Sequence, residues 1–282
     1  MKMNKRLATI ATVILLVLIP ALSTAGEVSW AKLVYDPSVS SQTRENFQKA
    51  IHTMNVLLTK YKIVLNDPIT IEVIADDAES FIRALMVYGN VSRAVAEDKA
   101  KLGMGGISSE KNVIVIRNSS ELSTPYGMPA RGAFSHELFH QVQSQNYSHA
   151  RLVNWLKEGP AELFDYMALE IARCEYVTSR VERTEQKISK AAEIPDTRQL
   201  ATYDYKDWES LIQQKYPIYP MAAVMTYRLV GDDGFGKMLL YYQLLDNGSD
   251  PDKAFNTAFG MPMSKFLANM NDYFNKLRSK KE

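Results

Sequence analysis

Apolar positions change their period along this chain. Trp30 to Tyr35 alternates as a short strand, and Asp36-Pro37 ends it. From Ser41 to about Tyr61, Phe47, Ile51, Met54, Leu57 and Leu58 recur at helical spacing. After the Asn66-Asp67-Pro68 turn, Ile69, Ile71 and Val73 alternate as a half-buried strand, and Asp77 is placed to cap a short helix carrying Phe81, Ile82, Leu85 and Met86. Gly103-Met104-Gly105-Gly106 predicts a loop leading into a strand from Asn112 to Arg117, whose Val113-Ile114-Val115-Ile116 core is apolar on both faces. No strand precedes those glycines and no helix follows, so they are not a dinucleotide fingerprint. Everything after Pro129 has helical spacing: roughly Ala130 to Gln145, Leu152 to Arg173, Val177 to Ala192, Tyr219 to Val230, Gly234 to Leu245 and Met263 to Leu277. Strands mixed with helices, then helices only, make an α+β arrangement, divided at residues 26–128 and 129–282 of a single domain.

Residues 1–25 stand apart. Lys2, Lys5 and Arg6 precede an apolar run from Leu7 to Ile19, Pro20 breaks it, and Ser23-Thr24-Ala25 supplies small residues for cleavage. The run is shorter than the roughly 20 residues of a spanning helix. A secretory signal and an extracytoplasmic destination, secreted or in the periplasm or cell envelope, are therefore expected, with no membrane span beyond it; an uncleaved anchor is the alternative. The whole chain has 282 residues, 46% hydrophobic and 23% charged, with a formal charge of +1. That composition is globular, and its charge balance gives no basic face for nucleic acid. The single cysteine, Cys174, excludes an internal disulfide and is expected to be a small buried hydrophobe within a helix.

The candidate chemistry is concentrated in His136-Glu137-Leu138-Phe139-His140. Two residues four apart share one helix face, about 6 Å apart along the axis, so both imidazoles can reach one zinc ion. Glu137 is turned about 100° from His136, close enough to act on a water at the metal without being a ligand. A third protein ligand is then required. Glu158, 18 positions after His140 in Asn154-Trp155-Leu156-Lys157-Glu158-Gly159-Pro160-Ala161-Glu162, sits on the next helix and can return to the histidine pair across a turn near Asn146 to His149.

This motif pair resembles the gluzincin zinc metallopeptidases, in particular the bacterial peptidase MA-like proteins, and more distantly the thermolysin-like and aminopeptidase-N-like families. The resemblance is tight over about Ala130 to Tyr166 and looser over Tyr216 to Phe274. It implies a zincin-like fold, with a small sheet-bearing part, a helical part and the active-site helix between them. It also implies one zinc ion per chain on His136, His140 and Glu158, with Glu137 as general base. Glu162 resembles the acidic residue that orients a ligand histidine in some relatives; a solvated helix charge is its other reading. For an oxyanion donor, Tyr219 is the first choice and Tyr216 the second, although Pro217 and Pro220 depart from the usual helix start there. Relatives also hold the peptide backbone along an edge strand, a place that Val113 to Arg117 occupies in the chain order.

Other zincin classes fit less well. The metzincin positions for glycine and histidine hold Gln143 and Asn146, His149 reads as a surface residue, and His52 as structural. The expected activity is hydrolysis of a peptide or protein substrate by a zinc-activated water. The alternatives are an envelope binding or scaffold protein with a retained structural zinc, for which Glu162 is the available fourth ligand, and a zinc hydrolase of a non-peptide substrate. The charged helix from Val177 to Ala192 reads as solvated, with a lid or partner surface as alternatives.

Overall fold

The computed structural model describes residues 28–101, 105–109, 112–124, 128–147, 152–231 and 234–279. The expected signal segment Met1 to Ala25, the glycine-run residues Gly103 and Met104, and His149 lie outside them. The fold is α+β. Four strands, β1 (Ala31–Tyr35), β2 (Ile69–Ile74), β3 (Gly106–Ser109) and β4 (Val113–Arg117), form one sheet in the order β1-β2-β4-β3. β1, β2 and β4 run parallel, and β3 is antiparallel to β4. Parallel neighbours need a crossover. Helix α1 (Ser41–Lys60) provides the first; helices α2 (Ala78–Tyr88) and α3 (Arg93–Lys101), followed by β3, provide the second.

Local chemistry places these elements. The Ser40 side chain caps α1 at the Thr43 amide, and the Asp77 side chain caps α2 at the Ser80 amide. Ile69, Ile71, Val73, Ile114 and Ile116 join Phe47, Met54 and Leu57 of α1 in the main core, whereas Val115 and Ile107 face Phe81, Leu85 and Ala96 of α2 and α3. The two apolar faces expected of β4 are therefore covered by different helices. Helix α3 escapes the periodicity because Ala96 is its only buried residue.

Helices α4 (Met128–Asn146), α5 (Asn154–Ile171), α6 (Val177–Lys190), α7 (Tyr205–Gln213), α8 (Ile218–Val230), α9 (Phe235–Asp246), α10 (Pro251–Phe259) and α11 (Met263–Ser279) follow, with short 3-10 turns at Ser120–Ser123 and Thr197–Leu200. Two of these, α7 and α10, are absent from the sequence reading. Yet α10 carries a start and stop signal: Asp250 caps it, Pro251 opens it, and Gly260 closes it with a left-handed φ of 76°. Helix α6 is solvated on one side only, since Val181, Thr184 and Ile188 are buried as it packs against α8 and α11.

The structure corrects three local expectations. Gly106 does not lie in a loop: it opens β3, paired with Ile116. A side chain there would meet the Val115 carbonyl and the Glu137 stem at 3.0 and 3.3 Å, so the glycine serves a close approach of α4. The edge strand is consequently β3, because β4 lies between β2 and β3. Cys174 lies beyond the end of α5, partly exposed, with its thiol 3.6 Å from the Ala172 carbonyl, and not inside a helix.

Helix α5 crosses α8 at Gly159. A methyl group on Gly159 would fall 2.4 Å from both the Ala222 carbonyl oxygen and Thr226 Oγ1. Neither atom can retreat cheaply, one being backbone and the other a buried short side chain. Gly159→Ala should therefore destabilise the protein by about 3 kcal/mol, read as a lowered denaturant midpoint; an unchanged midpoint would show that α8 is free to move away.

Candidate metal centre

Helix α4 presents His136, Glu137 and His140, and α5 presents Glu158 and Glu162. His136 Nε2 lies 3.1 Å from His140 Nε2, and each is 3.4 Å from Glu158 Oε2. Three donors at bonds of roughly 2.0–2.1 Å around one tetrahedral ion stand about 3.3 Å apart. The three residues therefore form a group that can hold a metal ion.

The far side of each imidazole is held by an acceptor. Glu162 Oε1 is 3.2 Å from His136 Nδ1, and Gln143 Oε1 is 2.9 Å from His140 Nδ1. An acceptor on Nδ1 fixes the proton there and leaves the Nε2 lone pair directed at the common point. Of the two readings of Glu162, the geometry matches the histidine partner. It also lies on the opposite nitrogen from Glu158, so it is not placed as a fourth ligand.

Gln143 had no visible role in the sequence, and a proline accounts for how it is held. Pro160 lies inside α5 and has no amide hydrogen for the Leu156 carbonyl one turn earlier. That carbonyl accepts instead from the Tyr242 hydroxyl of α9 at 2.7 Å. The Gln143 amide donates to the Lys157 carbonyl at 3.0 Å and to the Tyr242 oxygen at 3.0 Å, with a longer contact of 3.4 Å to the Leu156 carbonyl. With its nitrogen committed to carbonyls, Gln143 must turn its oxygen to His140. Gln143→Leu is expected to weaken metal binding about 10–100-fold, measured by competition with a chromophoric chelator, while Gln143→Glu, which keeps an acceptor, should lose less. Equal affinities in all three proteins would remove this role.

Electrostatics tie the cluster together. Burial disfavours the charged form of His136, but the Glu158 and Glu162 carboxylates outweigh it and raise its pKa well above 6.5. Burial opposes ionisation of Glu158 too, and the two histidines overcome it, holding its carboxyl far below the ordinary range. Glu137 moves the other way, because burial raises its pKa more than the histidines lower it.

The cluster opens onto a cavity of about 850 Å³ whose walls include β3, Glu137, Lys157, Tyr205 and Tyr219. Buried Gln141 fastens β3 to α4 through the Ser108 hydroxyl at 2.5 Å and the Ser109 carbonyl at 2.7 Å. The Tyr219 ring lies 6.3 Å from the His136 ring, and its hydroxyl is 3.4 Å from that of Tyr205. Burial raises the pKa of both phenols, so they remain protonated. Tyr216 points instead to Glu193, its hydroxyl 3.5 Å away. The two prolines that depart from the usual helix start are accommodated at the N-cap (Pro217) and in the first turn (Pro220) of α8. Tyr205 is a cavity residue that the sequence reading missed, and its helix α7 gives little signal, with Trp208 and Leu211 alone buried. His52 is exposed on α1, away from this cluster.

Lys99 of α3 pairs with Glu209 of α7 at 2.7 Å, joining the sheet-bearing part to the helical part. No helix among the described residues is long and apolar enough to cross a membrane. Neither a scan of protein-family models nor a search of curated proteins gave a match.

Proposed function

We propose that this protein is an exported zinc-dependent peptidase of the gluzincin type. The observation that carries the reading is the convergence of His136 Nε2, His140 Nε2 and Glu158 Oε2 beside a cavity that Glu137 also lines. Two neutral imidazoles and one carboxylate suit zinc and leave it an open position. Bound there, zinc would polarise a carbonyl and make water acidic enough to attack near neutral pH. Glu137 would take the proton from that water and return it to the leaving amine, a task suited to a carboxyl whose pKa burial has raised. Tyr219 would donate its hydroxyl to the developing oxyanion. The outer edge of β3 would receive the peptide backbone as an added strand.

The placement of Glu162 behind His136 favours this reading over a structural zinc, which needs four protein ligands. The test is zinc content and hydrolysis of a mixed peptide substrate. About one zinc per chain, with hydrolysis abolished by a chelator and restored by zinc, is the expected result; metal-free protein after purification without chelator would overturn it.

A further inference from the structure

Five lysine and arginine residues among the described ones are half-buried: Lys99, Arg117, Lys157, Arg180 and Arg278. Four of them have evident partners. Lys99 meets Glu209 at 2.7 Å, Arg117 meets Asp76 at 3.0 Å, Arg180 meets Glu175 at 3.7 Å, and Arg278 donates to the Ala192 carbonyl at 2.6 Å. Lys157 differs. It lines the cavity, and no carboxylate among the described residues lies within 4 Å of its ammonium group; the neighbouring Glu158, turned to the histidines, attracts it only from beyond that distance. Withdrawing an ammonium from water is costly unless an opposite charge meets it. Its backbone is fixed, because the Gln143 amide holds the Lys157 carbonyl at 3.0 Å. Among the described residues, the other non-histidine charges on the cavity wall, Asp67, Glu137 and Glu158, are acidic and would repel an anion.

We propose that Lys157 is a substrate-recognition residue whose ammonium receives a carboxylate of the bound peptide, so that the site selects carboxylate-bearing peptides over neutral ones. The proposal rests on the reading of this cavity as a peptide site. The carboxylate has two possible sources, a free C-terminus or an acidic side chain, and both present the same group to Lys157. A charge pair formed in this half-buried setting should favour the carboxylate-bearing ligand by about tenfold or more.

Binding can be read without turnover in the zinc-loaded Glu137→Gln protein, by calorimetry with three probes: acetyl-trialanine, its C-terminal amide, and acetyl-Ala-Glu-Ala amide. We expect one or both carboxylate-bearing probes to bind at least about tenfold more tightly than the neutral amide. A gain for the first assigns the carboxylate to the C-terminus; a gain for the third assigns it to a side chain. Adding Lys157→Met should erase the preference and Lys157→Arg should retain it, with circular dichroism confirming that each variant is folded. Equal binding of all three probes, no binding of any, or a preference that survives Lys157→Met would overturn the proposal, the last because the metal itself would then be taking the carboxylate. Lys157-dependent selection in a protein that hydrolyses no peptide would retain this inference and remove the peptidase reading.

Discussion

Glu137→Gln should retain about one zinc per chain and lower peptide turnover about 10²–10⁴-fold. The metal should stay because Glu137 contributes none of the three converging atoms, and because an amide fills the same volume above Gly106. Turnover should fall because an amide accepts no proton from water and returns none to an amine. The loss should appear in kcat with KM little changed, as expected for a group whose contribution is made in the transition state. Zinc analysis beside steady-state kinetics separates the outcomes. Unchanged turnover would remove Glu137 from the reaction, and joint loss of zinc and turnover would give it a structural role instead.

Glu158→Ala should have the larger effect on the metal. It removes one of three ligands, so zinc affinity should fall by more than the roughly 10–100-fold expected for losing an outer partner such as Gln143. The metal-free protein supplies an independent readout. The depressed Glu158 pKa contributes stability that is present above its ordinary value of 4.5 and is lost as pH falls towards the folded value. The raised pKa of His136 contributes stability that is present below its ordinary 6.5 and is lost as pH rises through the folded value. Both contributions are full between about pH 4.5 and 6.5. There the variant should be destabilised by about 3–5 kcal/mol, the cost of breaking a buried ion pair. The difference should shrink as pH rises through the folded values and the histidines lose their protons. Denaturant unfolding of both metal-free proteins at pH 6 and at a series of higher pH values measures it; a penalty independent of pH would mean that Glu158 acts through packing alone.

The centre of the site was legible because it depends on local periodicity. His136 and His140 share a face by virtue of a spacing of four, and Glu158 needs only a second helix folded back on the first. Strands β1 and β2 and helix α1 were legible for the same reason, since one face of each is more buried than the other, and β4 was legible as a short apolar run covered on both faces. What escaped depends on approaches between distant segments. Gln143 and Tyr242 are 99 positions apart, and nothing in either sequence neighbourhood says that α4 meets α9. Tyr205 is carried by a helix with two buried residues, too few to set a period. Gly106 broke the strand pattern of β3, although its lack of a side chain is what admits Glu137. Gly159 belongs to the motif as a letter; its reason is the backbone of α8 passing behind it.

Pro160 makes the order of the site depend on a helix that contributes no ligand. With no amide at residue 160, α5 cannot complete its own ladder at Leu156, and the Tyr242 hydroxyl of α9 completes it. That hydroxyl proton is buried and should exchange slowly with solvent, at a rate set by how often α9 separates from α5. Each such separation would also take the Tyr242 oxygen from the Gln143 amide, leaving it the Lys157 carbonyl, and loosen its hold on the His140 ring. Metal would then escape through an opening confined to one helix junction, before the rest of the molecule unfolds.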